Sequence, residues 1–351
     1  MKINLLTMHY SLSCGAVMQT YATCVILKKL GCDVTIINFK NPIELKRKKS
    51  IKFWLVHGVT KIKFDMFRKR YFPERTREIF RINYNDLPIA DIYISGSDQI
   101  WNPKLLEERI YAYMFDFLPD SVKRISFASS FGVNSWRDYS EYTSKVKNLL
   151  SKFDSLSVRE DSGVKICNEV FGLNTTQILD PTLVLDDYSN LVGNIKELNQ
   201  IVCFKLVYDE DFLDTVSLLK KEINLKTTLL YASYPHKNFD RNVMFCSPVK
   251  WLKTIASARY VVTDSFHGLA FSLLFKRNFI VLGGLKDRNT RLLSLLRLVG
   301  LEDRYVQDFA DFIKRKDDLL HKKIDYEKVD RVLSKEREKT YAYLRDALFS
   351  K

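Results

Sequence analysis

The stretch RYVVTDSFHGLAFSLLFKRNFIVL, residues 259–282, decides the fold class. Arg259–Thr263 is rich in β-branched and aromatic residues and predicts a strand that stops at a turn. Ser265–Lys276 is apolar at almost every position and too long for a strand, so it predicts a helix. Asn278–Leu282 predicts the next strand, closed by Gly283-Gly284. Working outward, the same rhythm continues in both directions. Upstream, Gln200–Val207 predicts a strand, Asp209–Ile223 a helix, Thr227–Tyr231 a strand, and Pro248–Ala258 a helix with proline in its first turn. Downstream, Arg288–Val299 predicts a helix ending at Gly300, and Tyr326–Phe349 a long terminal helix.

The first half alternates in the same way. Lys2–Met8 predicts a strand. Gly15–Leu30 predicts a helix with Val17, Tyr21, Cys24, Ile26 and Leu27 on its apolar face and Gly31 at its end. Strands are expected at Asp33–Phe39, Ile89–Ser95, Arg124–Ala128, Ser155–Val158 and Thr176–Leu179, with a helix over Glu160–Phe171 stopped by Gly172. Alternating strands and helices imply parallel sheets covered on both faces. With 351 residues the chain is long enough for two such domains. The expected architecture is α/β: two Rossmann-like domains, 1–190 and 191–351, with a seam over residues 186–200 and their sheets facing a cleft. In open α/β sheets ligands bind beyond the carboxyl ends of strands, so chemistry is expected just after strands.

Composition narrows the class. Hydrophobic content of 46% with 28% charged residues fits a folded globular protein. The six cysteines (Cys14, Cys24, Cys32, Cys167, Cys203, Cys246) show no C-x-x-C spacing, so neither a zinc nor a dithiol motif is expected, and they read as buried reduced thiols. Residues 3–27 contain no Asp, Glu, Lys or Arg, but Asn4, His9, Ser11, Ser13 and Gln19 interrupt the run, so neither a membrane span nor a signal peptide is expected, and the expected location is the cytoplasm. The formal charge of +14 is concentrated in residues 40–81, which hold 14 Lys and Arg against four acids and so contribute +10. Phe53, Trp54, Leu55, Phe64, Phe67, Tyr71 and Phe72 are interleaved there. Such a segment suits an anionic partner, whether a membrane surface, a lipid diphosphate or a nucleic acid, or else is a solvated helical insertion.

Four loops carry candidate chemistry. In the first, Asp264, Ser265, His267 and Gly268 fill a strand-to-helix turn; backbone N–H groups and the helix dipole there favour phosphate or carboxylate, and a histidine can donate a proton. The alternative is that Asp264 or Ser265 caps the helix and His267 packs. In the second, Ser95-Gly96-Ser97-Asp98-Gln99-Ile100-Trp101-Asn102 puts a carboxylate, two amides and an indole after a strand; Asp98 could accept a proton and Trp101 could stack on a sugar, or the segment is an ordinary turn around a buried tryptophan. The third is Ser157-Val158-Arg159-Glu160, where Arg159 could bind a carboxylate or phosphate or sit at the surface beside Glu160. The fourth is YSLSCGAVMQ, residues 10–19, with Gly15 and Gln19 but neither G-x-G-x-x-G nor G-x-x-x-x-G-K-[ST], and nothing identifies a base that would activate Cys14. Asp180-Pro181-Thr182 lines a cleft or shapes a turn; His9, His57, His236 and His321 carry no motif.

Together GAVMQTYATCVILKKLGCDV, GSDQIWN, SVRE with DPTLVL, and VVTDSFHGLAFSLLFKRNFIVL resemble the polysaccharide pyruvyl transferases, over residues 3–285 and in the family's order. The resemblance implies a glycosyltransferase-B-like pair of Rossmann-like domains, the first for the acceptor and the second for the donor. It implies phosphoenolpyruvate as donor substrate, no cofactor and no metal, and a pyruvate ketal built across two hydroxyls of a surface polysaccharide or lipid-linked precursor. It implies His267 as the acid, Asp98 or Asp264 as base or acceptor positioner, and Arg159 as donor clamp. Ser265, Gly15, Gln19, Gly96, Ser97, Gln99, Trp101 and Asn102 are the further expected substrate contacts. Some relatives have an arginine two residues before the histidine, where this chain has Ser265, so a second cation is expected from Arg288, Arg291 or Lys205. The opening loop likewise reads Ser-Cys-Gly-Ala where relatives often have Asn-Tyr-Gly-Ala. The competing expectations are a glycosyltransferase using a nucleotide sugar and a non-catalytic glycan- or nucleic-acid-binding protein of the same fold. Residues 40–81 are the expected contact with an anionic membrane; nucleic acid is not an expected partner.

Overall fold

A computed structural model describes residues 1–40, 51–206, 208–232, 235–283 and 286–350, the side chains of 51–56, 231–232 and 286–288 excepted. The chain forms two compact units: Met1–Lys49, Arg68–Leu185 and Ser334–Lys351 in one, Ser50–Phe67 and Asp186–Leu333 in the other. The expected boundary near residue 190 is therefore not a single cut. Residues 50–67 of the basic segment group with the second unit, and the end of the terminal helix returns to the first.

In the first unit, β1 (Lys2–Leu6), β2 (Asp33–Ile36), β3 (Ile92–Ser95) and β4 (Lys123–Ser126) form a parallel sheet ordered β2-β1-β3-β4. Bridges from Ile125 to Ser155 and from Ser129 to Val158 extend it to β5 (Ser157–Val158), which pairs with β6 (Thr176–Gln177). The order reverses between β1 and β3, the switch point at which doubly wound sheets open a crevice. Helix α1 (Cys14–Lys29) is buried well beyond one face. Its polar positions are matched internally: Thr20 donates to the Ala16 carbonyl and Thr23 to that of Gln19, each at 2.8 Å. The core gathers Trp101, Phe115, Phe131, Trp136 and Phe171. The helix expected over 160–171 is α-helical only over Asp161–Lys165 and continues as a π-helix, Ile166–Phe171, closed by Gly172 at φ +68°.

In the second unit, β7 (Gln200–Phe204), β8 (Lys226–Ala232), β9 (Arg241–Met244), β10 (Tyr260–Thr263), β11 (Asn278–Leu282) and β12 (Tyr305–Val306) form an all-parallel sheet ordered β12-β11-β10-β7-β8-β9. Counted along the chain this is the 3-2-1-4-5-6 order of dinucleotide-binding folds, with its switch point between β7 and β10. Helix α2 (Ile51–Tyr71) precedes β3 in the chain, and α3 (Glu210–Ile223), α4 (Pro248–Ala256), α5 (Phe266–Leu274), α6 (Lys286–Val299) and α7 (Phe309–His321) punctuate the second sheet. The terminal helix α8 is Tyr326–Phe349. Ile201, Cys203, Phe212, Val262 and Ile280 anchor the second core.

All six cysteines are buried and none is disulfide-bonded. Burial pushes the Cys167 thiol up to about 11 and that of Cys246 to about 12, so neither is a ready thiolate. Among the described residues no helix is long and apolar enough to cross a membrane.

Candidate functional site

The switch point of the second sheet holds the residues that the 259–282 stretch pointed to. β10 ends at Thr263, whose hydroxyl donates to the Phe204 carbonyl at the end of β7 at 2.7 Å, tying the two strands on either side of the reversal. Asp264 Oδ1 accepts the backbone N–H of Leu206 at 2.7 Å, so the loops after β7 and β10 are joined by a side chain. Ser265 caps α5: it accepts the Gly268 N–H at 3.4 Å. A Cβ on residue 268 would lie 2.3 Å from Thr263 Oγ1, so only glycine lets α5 start this close to the strand. His267 therefore stands in the first turn of α5, mostly buried, its ring edge-on to Phe266 at 5.3 Å. The cap is Ser265, and the imidazole of His267 is a separate group. The first turn of α5 carries backbone N–H groups and the positive end of the helix dipole.

Of the expected second cations, Lys205 directly follows β7, but its amino group is taken by Asp209 at 2.8 Å and lies 5.5 Å from the Phe212 ring centre. Arg291 is buried on α6. The Arg288 side chain lies outside the described residues.

The loops of the first sheet converge on Arg159, which follows β5. Its Nη1 donates to Asp180 Oδ2 at 2.7 Å, its Nη2 lies 3.4 Å from Asp98 Oδ1, and its Nε lies 3.7 Å from Glu160 Oε2. Burial opposes the charged guanidinium, but Asp180, Asp98 and Glu160 outweigh it and hold the group above its ordinary value. The carboxylates are themselves anchored. Ser97 donates to Asp180 Oδ2 at 2.8 Å, and Thr182 gives its N–H and hydroxyl to Asp180 Oδ1. Glu160 Oε1 accepts from the Ser130 hydroxyl and from the N–H groups of Phe131 and Gly132 at 2.9, 2.9 and 3.1 Å. Asp98 holds φ +79°, a region aspartate tolerates better than most residues, and its Oδ1 accepts its neighbour's N–H, Gln99, at 2.9 Å.

This geometry corrects two expectations. The Arg159 side chain is fully buried and faces three carboxylates. It is enclosed by these three acids rather than standing as an open clamp for an anionic donor. Trp101 is also fully buried, packed on Phe131 at 5.3 Å and Phe153 at 5.9 Å, with its N–H toward the Tyr113 carbonyl at 3.4 Å. Its ring has no face left for a sugar. Several other expected contacts serve the fold. Asn102 donates to Gln99 at 2.9 Å and caps the Pro103–Leu106 turn. Gln19 is buried and donates to the hydroxyls of Thr7 at 2.8 Å and Thr20 at 3.0 Å. Gly15 is buried in the first turn of α1, and a Cβ at Gly96 would meet Thr7 Cβ at 2.8 Å.

Two residues without a motif stand at the loop after β1, in the first unit. His9, after β1, is fully buried between the Thr7 carbonyl at 3.1 Å and Asn38 Oδ1 at 3.0 Å. Burial lowers its pKa to about 4 against those two hydrogen bonds, so it is neutral. Arg68 donates through Nε to the His9 carbonyl at 2.8 Å and through Nη2 to the Ser11 carbonyl at 2.5 Å, pinning the loop before α1. The one signal for Arg68 was its place in the basic segment, where it is the cation that points inward.

No curated protein matches the chain. Among solved structures it is similar to a putative UDP-N-acetylglucosamine 2-epimerase from Listeria monocytogenes, with TM-score 0.55 and 11% identity over 100% of this chain and 97% of that one. It is similar to the UDP-GlcNAc 2-epimerase from Neisseria meningitidis bound to UDP-GlcNAc, with TM-score 0.53 and 9% identity over 98% and 99%. It is likewise similar to Arabidopsis thaliana UGT89C1, with TM-score 0.53 and 9% identity over 98% of each chain. At such identities the likeness is one of fold, the glycosyltransferase-B type, and says nothing of chemistry. The chemistry-bearing segments are matched by a family model, Polysaccharide pyruvyl transferase, over residues 14–284, which takes in α1, the Asp98 loop, Arg159, Asp180 and the His267 turn; the chain belongs to the polysaccharide pyruvyl transferase family.

Proposed function

We propose that this family member moves the pyruvyl group of phosphoenolpyruvate onto two neighbouring hydroxyls of a saccharide, with the donor held at the switch point between β7 and β10. The observation that carries the reading is the placement of His267 in the first turn of α5, beyond the carboxyl end of β10, where a helix N-terminus and a proton-carrying side chain coincide. The donor's phosphate or carboxylate takes the α5 N–H groups. His267 protonates the methylene carbon, and one sugar hydroxyl adds to the resulting cationic carbon. The second hydroxyl then displaces phosphate and closes the ketal. Of the two hydroxyl protons released, one replaces that given to the methyl group and the other leaves with phosphate, so the sum is donor plus diol giving ketal plus inorganic phosphate. Because Arg159 is committed to Asp98, Glu160 and Asp180, its role in this reading is to hold the Asp98 loop of the first unit rather than the donor.

Turnover tests the reading: phosphate release from phosphoenolpyruvate, and a saccharide product heavier by one pyruvate less one water. His267→Ala is expected to lower turnover by ~10²–10⁴; unchanged turnover removes His267 from the chemistry. A second reading rests on the Neisseria meningitidis neighbour, solved with UDP-GlcNAc: a nucleotide sugar as donor. Release of a nucleoside diphosphate, with no consumption of phosphoenolpyruvate, would establish it instead.

A further inference from the structure

Helix α2 turns apolar side chains outward. Val59, Ile62 and Met66 are 44, 61 and 67% exposed, and their i, i+3, i+7 spacing puts them on one stripe. The opposite face, Thr60, Phe64, Phe67 and Arg68, is buried. The stripe is therefore no leftover of a weakly packed helix: the inward face is filled, and a separate apolar face remains outside. Cations border it: Lys69 and Arg70 are exposed on its two sides. The surrounding residues 40–81 carry +10 of the chain's +14.

We propose that this face of α2 docks on an anionic lipid bilayer, laying Val59, Ile62 and Met66 into the headgroup boundary while Lys69 and Arg70 reach lipid phosphates. An interfacial helix needs this pairing, an apolar stripe flanked by basic residues, and no spanning length. Charge decides against a second copy of the chain, because the exposed Lys69 and Arg70 of the two copies would be brought face to face. The aliphatic stripe decides against nucleic acid, whose backbone binds cations and whose bases stack on aromatics; Val, Ile and Met would add nothing there. The inference stands on α2 alone and does not depend on which donor the chain uses.

The test is flotation of the full chain with vesicles of phosphatidylcholine alone or mixed with phosphatidylglycerol, beside three variants: Lys69→Gln with Arg70→Gln, Ile62→Glu with Met66→Glu, and the exposed control Lys226→Gln. Binding to the anionic vesicles only is expected, weakened about 25-fold by the first pair at about fivefold per cation. Ile62→Glu with Met66→Glu is expected to weaken it at least as much, with the melting temperature unchanged because both side chains are solvent-facing. Equal binding to neutral vesicles, no binding to either, or binding indifferent to Ile62→Glu with Met66→Glu overturns the proposal. Self-association abolished by that same pair, without lipid binding, gives the face to a second copy. Oligonucleotide binding that ignores the pair gives it to nucleic acid.

Discussion

Replacing Arg159 with methionine tests the reading of the first unit most severely. The substitution keeps much of the side-chain length and removes the guanidinium that faces Asp98, Glu160 and Asp180. Asp180 keeps Ser97 and Thr182, and Glu160 keeps the donors at Ser130, Phe131 and Gly132. Both buried carboxylates nevertheless lose the guanidinium that faces them. Breaking a buried ion pair from one side costs about 3–5 kcal/mol, and the fully buried guanidinium places this site at the upper end. The loss should be read by urea unfolding at pH 7 and by hydrogen exchange of the Phe131 and Gly132 amides, which report Glu160 locally. Arg159→Lys, which keeps charge and loses the fork, should fall between the two. A methionine variant within ~1 kcal/mol of the parent at pH 7, with unchanged exchange at Phe131 and Gly132, would refute the cluster as the organiser of this unit.

Gly268→Ala should destabilise the second unit by about 1–3 kcal/mol through the clash with Thr263, seen as a lower urea midpoint. Combined with Thr263→Ala it should cost less than the sum of the two, because the clash is shared. His9 makes stability acid-sensitive: its folded pKa, near 4, lies below the unfolded 6.5, so its contribution is complete above pH 6.5 and is lost as pH falls toward 4, at no more than about 1.4 kcal/mol per pH unit. His9→Gln should flatten that part of the stability profile. Arg68→Leu should loosen the loop at 9–13, read as faster hydrogen exchange at Val17, whose N–H donates to the Ser13 carbonyl at 3.1 Å.

The parts of the fold that sequence made legible are those where one short stretch contains its own reason. RYVVTDSFHGLAF shows a strand, a cap and a helix, and the structure places Tyr260–Thr263, Ser265 and Phe266–Leu274 accordingly. Two all-parallel sheets follow from repeating that unit. What escaped depends on partners far along the chain. β12 has only two residues and exists because Tyr305 and Val306 find β11. The sequence left Trp101 open as a sugar-stacking indole or a buried turn residue, and Phe131 and Phe153, 30 and 52 residues later, decide for the second by enclosing it. Arg159 looked like an open cation because Asp180 and Asp98, 21 residues after and 61 before it, belong to other loops. His9 had no motif, since its partner Asn38 lies at the end of the next strand region. The basic segment was legible as charge, but the inward turn of Arg68 and the outward stripe of Val59, Ile62 and Met66 required the helix. Lys46, Arg47, Lys48 and Lys49, the densest charges of that segment, lie outside the described residues.

The central claim is that the switch point between β7 and β10 takes phosphoenolpyruvate. Calorimetric titration of the chain with phosphoenolpyruvate, inorganic phosphate and UDP-GlcNAc, parent beside His267→Ala, tests it directly. The account predicts saturable binding of phosphoenolpyruvate that weakens in His267→Ala, and none of UDP-GlcNAc; binding of UDP-GlcNAc with no heat from phosphoenolpyruvate would contradict it.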